Sequence, residues 1–443
     1  MTTLLVVALA IMAALQPVRA QPETGPLRLA NGEPLMCVYF FPHWWEPWKS
    51  SDDAVRHDLR RLRAMGFNTL LLDMEWSQAI DGDWRWVDRA HRLAAEAGMS
   101  VVPWLSPKTW SDVSPGDRER LAKRWFGVDF HYGVSQDGKR ASPLVWDPCV
   151  YTAGVKYALM YLERPLSGAL LRIRWQGRIR PVVSLSVESA RDGSFDARTN
   201  AMFRSWAKRK YGTIAALNRA WGTPYAGFAS IDPCDSSIFD YRGTVERRAD
   251  HPAAVEDHVA FRSAVVNDVL KRIARAVRRK HPDVLFMAEV PYQYEAEHPD
   301  ARSYRIDYGS NPEACDYADI VLFRCTGPLS SSEIEALARH RRRTGQRFIL
   351  TYRTYSDWDL APDSPAFAQS ARLYADQAAA LGDGFGFYSF NEMVDTHVAH
   401  STAMSDEQQH GWTAERSERA IGLMAAMTKR YLELMANAAH ASN

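Results

Sequence analysis

The sequence predicts an α/β chain closed into a (β/α)8 TIM barrel, and three observations carry that expectation. Eight short runs rich in β-branched and aromatic residues recur along the 443 residues. Each run is continuously apolar rather than alternating, as strands buried on both faces of a parallel sheet are. Amphipathic stretches with recognisable caps separate them, and eight strand–helix alternations joined by right-handed crossovers close into a barrel.

The first run is Met36-Cys37-Val38-Tyr39-Phe40-Phe41, and the second is Thr69-Leu70-Leu71-Leu72-Asp73. Between them, Ser51-Asp52-Asp53 is an N-cap cluster opening a helix that closes at Gly66. The third and fourth runs cover residues 100–105 and 180–186, and the last four cover 283–288, 319–323, 347–352 and 384–390. Residues 252–280 and 365–381 have helical periodicity and are each entered through Pro. A C-terminal helix around Arg416–Ala436 completes the ring. About 95 residues separate the fourth run from the fifth, and they include a helix at Phe203 followed by a second helical piece ending at Gly222. An insertion after a barrel strand belongs on the C-terminal face, so this one is expected to wall the cleft, with residues 113–177 doing the same after the third strand. One domain over 21–443 accounts for the chain.

Composition narrows the function. Charged residues make up 24% and hydrophobic residues 46%, which excludes a disordered chain, a collagen-like fibre and a multi-span membrane protein. Lys+Arg total 54 against 53 Asp+Glu, so no basic excess points to nucleic acid or an anionic membrane. The run Leu4–Leu15 is too short to span a bilayer and ends in Val18-Arg19-Ala20, a signal-peptidase pattern. Residues 1–20 are therefore expected to be a cleaved export signal, leaving a secreted or periplasmic protein with no membrane span. Five cysteines at 37, 149, 234, 315 and 325 allow at most two disulfides. The expectation is one or two loop staples and a buried thiol at Cys37.

In a barrel of this kind the chemistry sits just past the strand ends. Those positions hold Trp44 and Trp45 after the first strand, Asp73, Glu75 and Trp76 at the second, and Trp104 at the third. Glu188 follows the fourth strand, Glu289 and Tyr292 the fifth, and Arg324 ends the sixth. Tyr352 and Arg353 end the seventh, with Asn391 and Glu392 after the eighth. Carboxylates gathered among indole rings suit glycoside hydrolysis, in which one acid protonates the leaving oxygen and a second acts as nucleophile or base. Glu188 is the expected general acid, with Glu392 or Glu289 as its partner; the remaining rim residues are expected to bind sugar. Trp44, Trp45 and Trp48 share one short loop and cannot all turn inward, so at least one should line the cleft. No cofactor or metal is expected, since two carboxylates carry the reaction and the His397/His400 spacing lacks a third ligand. The expected partner is an oligo- or polysaccharide, and no oligomeric state is specified.

The stretch from Asp58 to Thr69, then Glu75-Trp76-Ser77, the segment Asp83–Gly98 and above all Lys210-Tyr211-Gly212-Thr213…Leu217-Asn218-Arg219-Ala220-Trp221-Gly222 resemble family 42 β-galactosidases of the retaining (β/α)8 clan. The likeness covers about 36–330. It implies a retaining glycosidase with its acid/base at Glu188. Two hallmarks differ: Val187 precedes Glu188 where the family has Asn, and Tyr352 occupies the place of the seventh-strand nucleophile Glu. Alternatives follow from these departures: an inverting or α-specific hydrolase using Glu289, Tyr352 as nucleophile, or a barrel that binds carbohydrate without cleaving it.

Overall fold

A computed structural model describes residues 25–42, 47–73, 83–105, 132–143, 148–164, 168–185, 195–239, 250–291, 315–352, 357–394 and 413–441, with 120, 123 and 124, and excepting 137, 326 and 358. Eight parallel strands close on themselves: β1 (Met36–Tyr39), β2 (Thr69–Asp73), β3 (Ser100–Leu105), β4 (Arg178–Leu185), β5 (Leu285–Pro291), β6 (Ile320–Cys325), β7 (Arg347–Tyr352) and β8 (Gly384–Phe387). Closure is made where Phe385, Gly386 and Phe387 pair with Met36, Cys37 and Val38. The expected (β/α)8 barrel is the observed fold.

Side-chain alternation sorts each strand into two layers. Cys37, Tyr39, Leu71, Val102, Val182, Leu285, Met287, Ile320, Leu322 and Ile349 fill the barrel's interior. Their neighbours Val38, Leu70, Val183, Phe286, Val321 and Leu350 point outward into the larger core beneath the helices. Both faces are therefore buried, which explains why the runs are continuous in the sequence. Strand β8 reads Gly-Phe-Gly-Phe for the same reason. A Cβ on Gly386 would sit 2.4 Å from Thr351 Cγ2 and 2.7 Å from Cys37 Sγ, so only glycine lets the interior close at that point.

At the N-terminal end the strands are tied by the residue that precedes the next one. Asn68 Oδ1 accepts from Met36 N at 3.1 Å, Asp319 Oδ2 from Phe286 N at 2.8 Å, and Asp383 Oδ2 from Phe348 N at 2.8 Å. Below them, the short strand Arg28–Leu29 pairs with the strand Arg172–Trp175, which runs antiparallel to β4. Leu27, Leu29, Leu171 and Ile173 thereby plug the floor.

The helices begin where the caps require. Helix α1 (Asp52–Ala64) starts at Ser51, whose side chain accepts from Ala54 N, and carries Asp52 and Asp53 in its first turn, favourable to the helix dipole. Helix α2 spans Arg85–Glu96 and α3 spans Pro148–Leu162. After β4 come α4 (Ala197–Tyr211) and α5 (Ile214–Trp221), then the long α6 (Pro252–Arg278). Helices α7 (Ser331–Thr344), α8 (Pro365–Leu381) and α9 (Ala414–Ala441) finish the ring. Helix α7 has a reciprocal Ser330/Glu333 capping box, and its Arg341-Arg342-Arg343 end meets Gly345 in the left-handed region.

Two expectations need correction. Within 113–177, α3 supplies the crossover between β3 and β4, and its buried residues Ala153, Tyr157 and Tyr161 belong to the outer core, so this part of the stretch is barrel rather than cleft wall. Cys37, Cys234, Cys315 and Cys325 are all free thiols, so no loop staple forms among them. Three of these are buried, and a thiol in apolar surroundings packs as a small hydrophobe. No helix among the described residues is long and apolar enough to cross a membrane. The export signal at 1–20 lies outside them.

Candidate active site

The inward parity of the strands decides which side chains reach the C-terminal mouth. Leu285 and Met287 face inward, so Glu289 follows them on the interior face of β5. Ile320 and Leu322 do the same for Arg324 on β6. The two meet as a buried ion pair, Arg324 Nη1 to Glu289 Oε1 at 3.1 Å, with side-chain exposures of 10% and 6%. Tyr39 approaches the same carboxylate from β1, on the opposite wall, near enough for the Glu289 charge to act on its phenol. Burial first, and the Glu289 charge second, hold the Tyr39 phenol well above its ordinary range, so it stays a donor. The Arg324 guanidinium lies over the ring of Tyr388 at 4.7 Å, and Tyr388 packs edge-on against Tyr39 at 4.6 Å.

This quartet is the polar centre of the described mouth. A carboxylate buried against a guanidinium is an anion compensated in place, because a lone buried charge is too costly. Such a group can attack or accept a proton. It cannot donate one while it remains paired.

Trp104 continues the inward face of β3 after Val102 and is buried, opposite Ser184 of β4. Its indole N–H has no partner among the described residues. An orphaned buried donor at a cleft is where a substrate hydroxyl can compensate.

Other expected site residues lie elsewhere. Tyr352 ends β7 on its outward face, fully buried beside Tyr374 of α8, whose ring lies 4.7 Å away, and Phe385. Burial pushes its phenol well upward. It is a core residue between barrel and helix, which removes it as sugar ligand or nucleophile. The strand's inward residues are instead Ile349 and Thr351.

Asn391 is likewise a strap. Its side chain accepts from Phe41 N at 2.9 Å and donates to Phe41 O at 3.4 Å, tying the end of β8 to that of β1. Trp48, one of the clustered tryptophans, is buried under α1 and donates to Asp58 at 2.7 Å. Trp44, Trp45, Glu75, Trp76, Glu188, Tyr292 and Arg353 lie outside the described residues, as do His397 and His400. Asp73 ends β2, and Glu392 falls in a 3-10 turn, Phe390–Met393; neither side chain is among those described. Among the described residues, no three metal-ligating groups gather.

The insertion after β4 is held to the rim by its own core. Phe203, Leu217, Trp221 and Phe239 pack on Ala254 and Phe261, in the N-terminal half of α6. Crossover helices run antiparallel to the strands, so that half lies toward the mouth. Asp257, buried on α6, gathers the motif: Lys210 pairs with it, Tyr211 donates at 2.5 Å and Trp221 Nε1 at 2.8 Å. The segment 210–222 thus docks the insertion and takes no described part in the mouth.

Sequence reasoning missed Tyr39 and Tyr388. The sequence held no signal for Tyr39, because the continuously apolar run 36–41 does not disclose which parity faces inward. Tyr388 had none, because the chain leaves β8 at Phe387.

Residues 186–420 match the sequence profile of the glycoside hydrolase family 42, described as Beta-galactosidase. The match runs to the last barrel strand and beyond, past the limit of 330 that the local motifs indicate. A β-galactosidase of Thermus thermophilus is 27% identical over 237 residues, covering 47% of this chain and 33% of the relative. The Beta-galactosidase Bga of Halorubrum lacusprofundi is 24% identical over 375 residues, covering 78% and 48%. This chain therefore spans a third to a half of the length of these curated relatives. Among solved structures, the cold-adapted β-galactosidase of Rahnella sp. R3 superposes with a TM-score of 0.55 at 13% identity, over 93% of this chain and 58% of that one.

Proposed function

The chain belongs to the family 42 β-galactosidase family of glycoside hydrolases, and on that footing we propose that it is an exported glycosidase cleaving O-glycosidic bonds of an oligo- or polysaccharide. The observation that carries the reading is the Glu289 carboxyl group, buried in the barrel mouth 3.1 Å from Arg324 Nη1. Glycoside hydrolysis needs one ionised carboxylate and one protonated acid. Glu188 is the proposed acid. It lies three residues beyond Leu185, the last residue of β4, the strand that neighbours β5. In this reading Glu188 protonates the leaving oxygen while Glu289 acts as base on water or as nucleophile; Glu392 is the other candidate for that second role. Trp104, Trp44, Trp45 and Trp76 are proposed to hold the sugar rings and their hydroxyls.

The family's name makes β-galactosides the first substrates to assay. Glu188→Gln is expected to lower hydrolysis by about 10²–10⁴-fold, the usual contribution of general acid catalysis, with glycan binding retained. Undiminished turnover in that variant rejects the assignment. Saturable glycan binding with no bond cleavage in the unaltered protein supports instead a binding barrel that has lost catalysis. The anomer first formed, followed by NMR, separates retention from inversion, and Glu289→Gln beside Glu392→Gln separates the two candidate partners. Residues 1–20 are proposed as the export signal, a reading checked by the N-terminal sequence of the protein recovered outside the cytoplasm.

A further inference from the structure

On the barrel's flank, α3, α4 and α6 enclose a groove of about 690 Å³ that no residue of the mouth lines. Its floor is aromatic: Phe261 is buried, while Trp206 and Tyr151 are half-buried. Its rims are basic. Arg198, Met202, Ser205 and Arg209 follow one another at spacings of four, three and four, so they share one face of α4. The two arginines stand about 16 Å apart along that helix, at about 1.5 Å per residue. Both are exposed, and neither makes an ion pair among the described residues.

The opposite wall differs. Arg272 is held by Asp268 Oδ2 at 3.0 Å and lies over the Tyr151 ring at 5.4 Å. The groove's carboxylate is therefore engaged by Arg272, leaving the two α4 arginines as uncompensated positive charge. The whole chain is close to neutral, so this is local placement and not a consequence of basic composition.

We propose that this groove is a second saccharide site, binding a glycan chain that carries carboxylates or sulfates. Volumes of roughly 300–1,000 Å³ accommodate ligands of several rings. Guanidinium groups match planar carboxylates and sulfates through paired charge-assisted hydrogen bonds, and aromatic walls receive the apolar faces of sugar rings. The choice of a saccharide over another polyanion rests on the glycosidase reading above. The groove holds the anionic chain on the flank, away from the bond being cut.

The test is calorimetric titration of the protein with four probes of matched length: an oligogalacturonate, a sulfated galacto-oligosaccharide, its neutral counterpart and an oligothymidylate. The expected result is binding of at least one anionic glycan, about tenfold or more tighter than the neutral one, and weakened at about 0.5 M salt as screened charge pairs are. Which of the two anionic probes binds identifies the anion. The Arg198→Ala/Arg209→Ala variant should lose at least tenfold in that affinity, on the order of two charge-assisted contacts, while hydrolysing a small neutral glycoside at the unaltered rate. Equal affinity for the neutral chain, equal affinity for oligothymidylate, or unchanged binding by the double variant overturns the proposal. Absence of hydrolysis on every glycoside overturns the glycosidase reading and leaves the groove result to be judged by the titrations alone.

Discussion

Arg324 is the residue on which the described mouth turns. It neutralises Glu289, stacks on Tyr388, and stands in a setting with almost no solvent to share the charge. Arg324→Leu removes the compensation and leaves a buried carboxylate alone, at a cost of about 3–5 kcal/mol. The double variant Arg324→Leu/Glu289→Leu removes both charges and should recover most of that loss. Urea denaturation of the three proteins tests the pairing, and a single variant as stable as the parent would sink it. Much at this scale was readable beforehand: Glu289, Arg324 and Trp104 follow from their place at the strand ends. Tyr352 was misplaced because Ile349, not Phe348, is the inward residue of its strand, and a continuous apolar run does not disclose which parity faces in. Asn391 was misplaced because an amide near a strand end can equally serve the backbone.

Among the elements, the insertion after β4 shows how a sequence motif can be specific without being chemical. Lys210, Tyr211 and Trp221 look like a functional signature, and all three converge on Asp257. Burial first, and the hydrogen bond to Asp257 second, raise the Tyr211 phenol to about 12, consistent with a donor that never ionises at neutral pH. Asp257→Ala strands the buried Trp221 donor and the half-buried Tyr211 hydroxyl, while the exposed Lys210 ammonium returns to water, and should cost about 2 kcal/mol. Loss of hydrogen-exchange protection confined first to α4 and α5 would locate the damage. Unchanged protection and midpoint would show that the hub is dispensable. The element boundaries themselves were legible, because Ser51, Thr213, Ser330 and Ser364 each cap a helix through their own side chains.

For the molecule as a whole, the buried imidazoles set an acid limit. His91 lies between α2 and α3 in contact with the Tyr161 hydroxyl, and burial lowers its pKa from 6.5 to about 4. Burial shifts His258 and His340 in the same direction. Between pH 6.5 and 4 the unfolded chain takes up a proton at His91 that the folded chain refuses, so stability falls as pH falls through that window. His91 alone contributes about 3 kcal/mol to the drop, from its shift at 1.36 kcal/mol per pK unit. His91→Phe should therefore flatten the dependence of the urea midpoint on pH between about 6.5 and 4. An identical slope in parent and variant refutes the assignment.

Period, caps and chain direction are local properties, and they were enough to establish the eight-stranded barrel, its helices and the rim on which chemistry belongs. Pairing across the barrel is not local. That Tyr39 should face Glu289 from the far wall depends on how the ring closes, and that Asp257 should gather its motif and three helices leave an arginine-rimmed groove depends on how the insertion docks. Closure brings together residues some 250 positions apart, and no window of sequence contains both partners.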